Sequence, residues 1–360
     1  MRAAVLLAIG HLLLFPADRL SAEQPSDSWQ FVVAGDSRNC GDVVMPAVAA
    51  GVRAAGASFY WHLGDFRAIY DFDEDMLAAR RARSAEPMTI ADYQKKAWDD
   101  FIESQLAPFG KIPVYLAIGN HELVSPKSRA EYLVQFADWL NAPPISRQRL
   151  ADNPRDHRLK TYYHWVERGI DFIVLDNASP DQFDAEQLTW LEKILARDAA
   201  DPSLRTIVVG MHAALPDSIA AAHSMSDWAQ GEQSGRRVYA DLLGARAADK
   251  RVYVLASHSH FYLSNAFATP YWRSHGGVLP GWIIGTTGAV RYPLPPGADA
   301  AHEARTNVYG FLLATVASDG AIGFEFREIR EPDVPAEVVQ RLTRGLVHEC
   351  FAGNRTAPSQ

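Results

Sequence analysis

The chain has 360 residues, and its 35 basic against 43 acidic residues give a formal net charge of -8. That sign excludes a general affinity for nucleic acid, although a local basic cluster can still receive a phosphate. The length accommodates one large α/β domain or two ordinary ones.

The amino terminus reads as an export signal. Arg2 supplies the positive start, Ala3 to Phe15 are almost unbroken apolar, and Ser21-Ala22 offers small residues for cleavage. This run is too short to span a membrane, and no later segment approaches about 18 consecutive apolar residues. Residues 1–22 are therefore expected to be removed, leaving one domain over 23–360 in the periplasm or outside the cell, with no membrane span. In that compartment the only two cysteines, Cys40 and Cys350, are expected to form a disulfide tying the carboxyl-terminal tail to the first βα loop.

Short apolar runs follow in order at Trp29 to Ala34, Ser58 to Leu63, Ile112 to Ile118, Asp171 to Leu175, Arg205 to Val209 and Arg251 to Leu255. They alternate with helical patterns at Met45 to Ala55, Ala91 to Gln105, Arg129 to Trp139 and Ala185 to Ala196, the last with Asp184 as its N-cap. A later set at Gly281 to Gly285, Phe311 to Val316 and Ala321 to Phe326 has the short, Gly-rich spacing of antiparallel strands. The pattern predicts an α/β fold in which two sheets pack as a β-sandwich flanked by helices, in four layers α/β/β/α. The polar stretches Phe66 to Ile90, Ala142 to Lys160 and Pro216 to Arg237 read as loops over a site, and the acidic run Tyr70 to Asp75 as solvated. His223, Trp228 and Arg236 read as surface residues of such a loop, and His62 as a packed, hydrogen-bonded histidine.

Strand after strand ends in a polar cluster. Gly35-Asp36, Gly64-Asp65, Gly119-Asn120-His121-Glu122, Gly210-Met211-His212 and Ser257-His258-Ser259-His260 each close an apolar run. In open α/β sheets the carboxyl ends of the strands form the rim where ligands bind, so these clusters can converge. Asp, Asn and His without thiolate form a mixed oxygen and nitrogen donor set that suits manganese, iron or zinc.

In order and content these clusters resemble the calcineurin-like metallophosphoesterase family, to which the purple acid phosphatases are related. The resemblance runs from about Trp29 to Ile329 and rests on Gly119-Asn120-His121-Glu122 combined with His258-Ser259-His260. It implies two divalent or trivalent metal ions, with Asp36, Asp65 and His260 on the first, Asp65, Asn120, His212 and His258 on the second, and Asp65 bridging. It implies hydrolysis of a small phosphate mono- or diester by a metal-activated hydroxide, with His121 contacting the phosphate and protonating the leaving oxygen. Glu122 is either a support for His121 or a helix-capping carboxylate. Arg38 stands where the family has a histidine ligand, Ala68 where it has an aspartate, and Ser257 where it has a glycine. A guanidinium has no lone pair to offer a metal, so Arg38 either holds a phosphate oxygen, and is then catalytic, or pairs with Asp42 or Asp71. The alternative function is a catalytically impaired phosphate- or ligand-binding protein on the same scaffold.

Overall fold

The structure is a computed structural model that describes residues 28–82, 87–178, 182–220, 223–296, 298 and 303–356. The expected export signal lies outside the described residues.

The strands, in chain order, are β1 (Trp29–Ala34), β2 (Tyr60–His62), β3 (Val114–Leu116), β4 (Tyr163–Glu167), β5 (Ile170–Val174), β6 (Thr206–Gly210), β7 (Arg251–Ala256), β8 (Tyr262–Ser264), β9 (Gly281–Ile284), β10 (Ala304–Arg305), β11 (Tyr309–Val316) and β12 (Ile322–Ile329). They form a 5-stranded sheet in the order β12-β11-β1-β2-β3 and a 7-stranded sheet in the order β10-β8-β9-β7-β6-β5-β4. The parallel strands are β1-β2-β3, forming one side of the first sheet, and β5-β6-β7-β9, forming the centre of the second, with antiparallel strands completing each sheet. This is the expected two-sheet sandwich.

Strand alternation decides what lies between the sheets. Phe31 of β1 meets Phe172 of β5 edge-on at 5.2 Å, and Phe59 stacks on Phe31 at 5.1 Å. Trp165 of β4 lies between Tyr115 of β3 at 3.9 Å and Phe172 at 5.0 Å. The next residue along β5, Ile173, points the other way. It joins Ile207, Val209, Val252 and Val254 in a second apolar layer against Leu188, Leu191, Val238 and Leu242 of the helices Ala185–Ala200 and Ala229–Ala247. On the far side of the first sheet the helix Gly41–Ala55 buries Val43, Val44, Val48 and Val52. Asp184 caps its helix as expected, accepting from the N–H of Gln187 at 2.8 Å.

Three stretches read as loops contain helices: Glu74–Ala82, Pro143–Asp152 and the start of Ala229–Ala247. The second buries only Ile145 and so carries no amphipathic stripe, while the third is interrupted by Gly231 and Gly235. A Cβ at Gly235 would come within 2.4 Å of Pro216, so packing explains that glycine. The acidic run is solvated at Tyr70, Asp71 and Glu74 but not throughout. Asp73 and Asp75 are fully buried around the equally buried Arg67, which also pairs with Asp42 and Asp100. Among the described residues no helix is long and apolar enough to cross a membrane.

Candidate active site

Asp36 follows β1, Asp65 follows β2, Asn120 and His121 follow β3, His212 follows β6, and His258 and His260 follow β7. All are ends of parallel strands, and the two sheets turn these ends toward each other. Asp36, Asp65 and His258 adopt left-handed backbone, with φ of 61°, 61° and 65°. Non-glycine residues rarely sit there, and such strain gathers where a site must be held in shape. The turns are zipped by Asp36 N–H to Gly64 O at 3.0 Å and Ser37 N–H to Asp65 O at 2.9 Å. Across the sheets the N–H of His258 donates to Asp36 Oδ2 at 2.7 Å. Gly119 is required by contact, since a Cβ there would lie 2.3 Å from Asp65 Oδ1.

Asp65, His212 and His258 each turn a donor atom into a space where all lie within 4.8 Å of one another. His212 Nδ1 donates to Leu63 O at 2.9 Å, which leaves Nε2 facing Asn120 Oδ1 at 2.9 Å, His258 Nδ1 at 3.0 Å and Asp65 Oδ1 at 3.3 Å. Burial disfavours charge on His212, but the carboxylate of Asp65 overrides it and raises its pKa to about 10. His258 is held well below the usual histidine range by burial and by His212. Asp65 Oδ2 is buried and accepts no hydrogen bond. An orphaned carboxylate oxygen, an amide oxygen and two imidazoles fit a divalent cation of the manganese, iron or zinc type.

Asp36, His260 and Arg38 form the other flank. His260 Nδ1 donates to Val290 O at 2.6 Å, so Nε2 faces Asp36 Oδ1 and Arg38 Nη2, each at 3.1 Å. Burial alone would raise the Asp36 carboxyl, yet its interaction with the neighbouring His260 brings it down to about 2. Arg38 also reaches Tyr70 Oη at 3.3 Å and lies 3.7 Å from Asp65 Oδ2. It pairs with neither Asp42 nor Asp71. Asp42 belongs to the Arg67 cluster.

His121 stands beside these groups. Its N–H donates to Asp65 Oδ1 at 3.0 Å, and Nδ1 donates to Ala68 O at 2.6 Å, leaving Nε2 3.6 Å from Asp65 Oδ2. Burial lowers its pKa below the ordinary value. Glu122 is the capping carboxylate of the two readings the sequence allowed: it caps the turn at Gly119 and, in place of bonding His121, braces the turn at Asp65. His62 is packed as expected, donating through Nε2 to Ser37 Oγ at 3.0 Å and accepting the Gly64 N–H.

Two neighbours escaped the sequence reading. His223, expected on the surface, packs its ring 5.3 Å from that of His258, and Tyr292 stacks on both His260 at 4.1 Å and His223 at 5.1 Å. Arg291 faces away from the site and bonds the tail carbonyls of Asn354, Cys350 and Phe351. A separate cavity of about 1110 Å³, bounded by β4 and the helices Pro143–Asp152 and Ala185–Ala200, shares none of the site residues.

A profile of the calcineurin-like phosphoesterase family matches residues 31–262. No curated protein matches the sequence significantly. Similar solved structures include a purple acid phosphatase from yellow lupin (Lupinus luteus) seeds, 17% identical with a TM-score of 0.56, covering 84% of this chain and 52% of that one. A dimetal phosphatase from Danio rerio is 13% identical with a TM-score of 0.52, covering 83% and 96%. PhoD is 14% identical with a TM-score of 0.53, covering 90% and 77%. At these identities the likeness speaks for the fold, and the chain spans about half the length of the lupin protein. The family profile covers well over half of the chain: the protein belongs to the calcineurin-like phosphoesterase family.

Proposed function

We propose that this chain is a metal-dependent hydrolase of small phosphate mono- or diesters. The observation that carries the reading is the convergence of Asp65, His212 and His258 within 4.8 Å, with Asn120 at their edge and the non-ligand His121 alongside. Asp65, Asn120, His212 and His258 would hold an ion. When bound, such an ion polarises a phosphoryl oxygen and makes water a better nucleophile near neutral pH.

The chain's own residues do the rest. His121 Nδ1 is committed to the Ala68 carbonyl, so proton exchange falls to Nε2, which faces the same space as Asp65 Oδ2. Burial lowers the pKa of this ring, and the negative charge of a bound phosphate ester would offset that by favouring the protonated ring, whose Nε2–H then passes to the leaving oxygen. Arg38 brings a fixed positive charge and forked N–H donors to the same space, suited to phosphate oxygens. The two-ion plan of the family would add Asp36 and His260 as ligands of a second ion, and these face Arg38.

The reading of a catalytically impaired binding protein draws on Arg38, but a binder has no use for a positioned proton donor such as His121. Hydrolysis of chromogenic monoesters and diesters, with and without chelator and with metal added back, decides between the two. A chain that binds phosphate but turns over neither ester with any added metal is a binder. We place the protein in the periplasm or outside the cell. The Cys40–Cys350 disulfide supports that, because such a bond persists in oxidising compartments.

A further inference from the structure

We infer that the guanidinium of Arg38 stands in for the first ion, so that this chain works with one metal ion per site, held by Asp65, Asn120, His212 and His258. The inference rests on the phosphoesterase reading above.

An ion shared by Asp36, Asp65 and His260 needs the lone pair of His260 Nε2, since Nδ1 is committed to Val290 O. That single lone pair already accepts from Arg38 Nη2 at 3.1 Å. The same ring nitrogen lies 3.1 Å from Asp36 Oδ1, so two electron-rich atoms converge on a point that requires a cation. Arg38 supplies it.

Arg38 is not placed to swing out. It is 6% exposed, and the loop carrying it is held on three sides. The N–H of Asn39 donates to the buried Asp73, the N–H of Cys40 donates to Gly288 O at 3.1 Å, and Cys40 is joined to Cys350. The acidic cluster around Arg67 thus positions a second arginine through Asp73.

Charge points the same way. Two divalent ions plus a guanidinium would set five positive charges against the two carboxylates, Asp36 and Asp65, that face them in a buried space, at a large desolvation and repulsion cost. One ion plus Arg38 leaves a single excess positive charge, which suits an anionic phosphate ester. Two atoms here are buried and without a hydrogen-bond partner, Asp65 Oδ2 and Arg38 Nε. They lie 3.7 Å apart, an ion pair too long for a hydrogen bond, so each still has a place to fill, the carboxylate oxygen with a cation and the N–H with an anionic oxygen. An ion at Asp65 and a phosphate oxygen on Arg38 satisfy both.

The test is metal stoichiometry. Wild-type protein is loaded with excess manganese, desalted and analysed, and crystals of it are measured for anomalous scattering. The expected result is one ion per chain and one anomalous peak, among Asp65, Asn120, His212 and His258. Arg38→His should bind two, and Arg38→Ala at saturating manganese should lose about a hundredfold in kcat/KM. Two ions or two peaks in the wild type overturn the inference, whatever the variants do. Undiminished turnover by Arg38→Ala also overturns it, because the guanidinium then does no work in the site. Protein that takes up no manganese and hydrolyses no ester defeats the phosphoesterase reading instead.

Discussion

Glu122 accepts the backbone N–H of Asp65 through Oε2, the oxygen that also takes the N–H of Gly119, at 2.9 and 2.8 Å. Its other oxygen takes the N–H of Phe66 at 2.9 Å. Burial and the charge of Asp65 push its carboxyl up to about 7, against the pull of these bonds. The left-handed turn at Asp65 is therefore bound to the turn carrying Asn120 through one side chain. Glu122→Gln turns an amide NH₂ toward a backbone N–H, and the expected loss is about 1 to 3 kcal/mol of stability together with weaker metal binding. Urea denaturation and a metal titration of the variant check both. Unchanged metal affinity would show that the brace is structural only.

Asp65→Asn and His258→Ala each remove a donor that nothing nearby replaces. Both should abolish metal-dependent hydrolysis at limiting metal, with the fold retained by circular dichroism. Wild-type turnover in either variant would sink the assignment of the ion's position.

For His121→Ala the expectation differs, because the ring's free nitrogen faces the reaction space and no ion is assigned to it. Turnover should fall by about 10² to 10⁴ while bound metal stays near the wild-type level. Loss of metal together with rate would make His121 a ligand.

Far from the site, His164 is buried between Asp171 at 2.8 Å and Asp152 at 2.6 Å. Burial works against its charge, but the two carboxylates raise its pKa to about 9. A histidine whose pKa rises on folding contributes stability that is fully present below its unfolded value near 6.5 and is lost as pH climbs through the folded one. Wild-type protein should thus hold an advantage over His164→Gln, on the order of 2 to 3 kcal/mol at pH 6, that fades by pH 10. Denaturation of both proteins at the two pH values reads it directly, and a gap independent of pH would contradict the charged ring.

Cys40→Ser is expected to cost about 2 to 4 kcal/mol, since the bridge closes a loop of 310 residues in the unfolded chain. The same substitution frees the end of the loop bearing Arg38, so ester KM should rise as well. A stability loss with KM unmoved would separate the bridge from the site.

The metal-facing donors were legible because each ends an apolar run. A Gly-Asp or Gly-Asn after a buried strand has few uses besides a rim. The start of the helix Ala229–Ala247 was not, because Gly235 is explained by Pro216, a contact that exists only after folding. Asp73 and Asp75 read as solvated since burying carboxylates is costly, and only a buried Arg67 drawn to the same place reverses that sign. His223 and Tyr292 lacked any signal in spacing, for they arrive on loops between strands and touch the site through ring faces. Arg38 was visible as a departure from the family pattern. Its contact with His260 needed the docking of β1 against β7 across the sandwich.

That docking has a consequence for how the protein keeps its metal. Asp65 and Asn120 belong to one sheet and His212 and His258 to the other, and what holds the sheets in register is a wall of rings, Phe31, Phe59, Trp165 and Phe172. A bound ion is then a rivet through two plates. Loosening the wall should release the ion before the chain unfolds, and a tightly bound ion should slow the plates from parting.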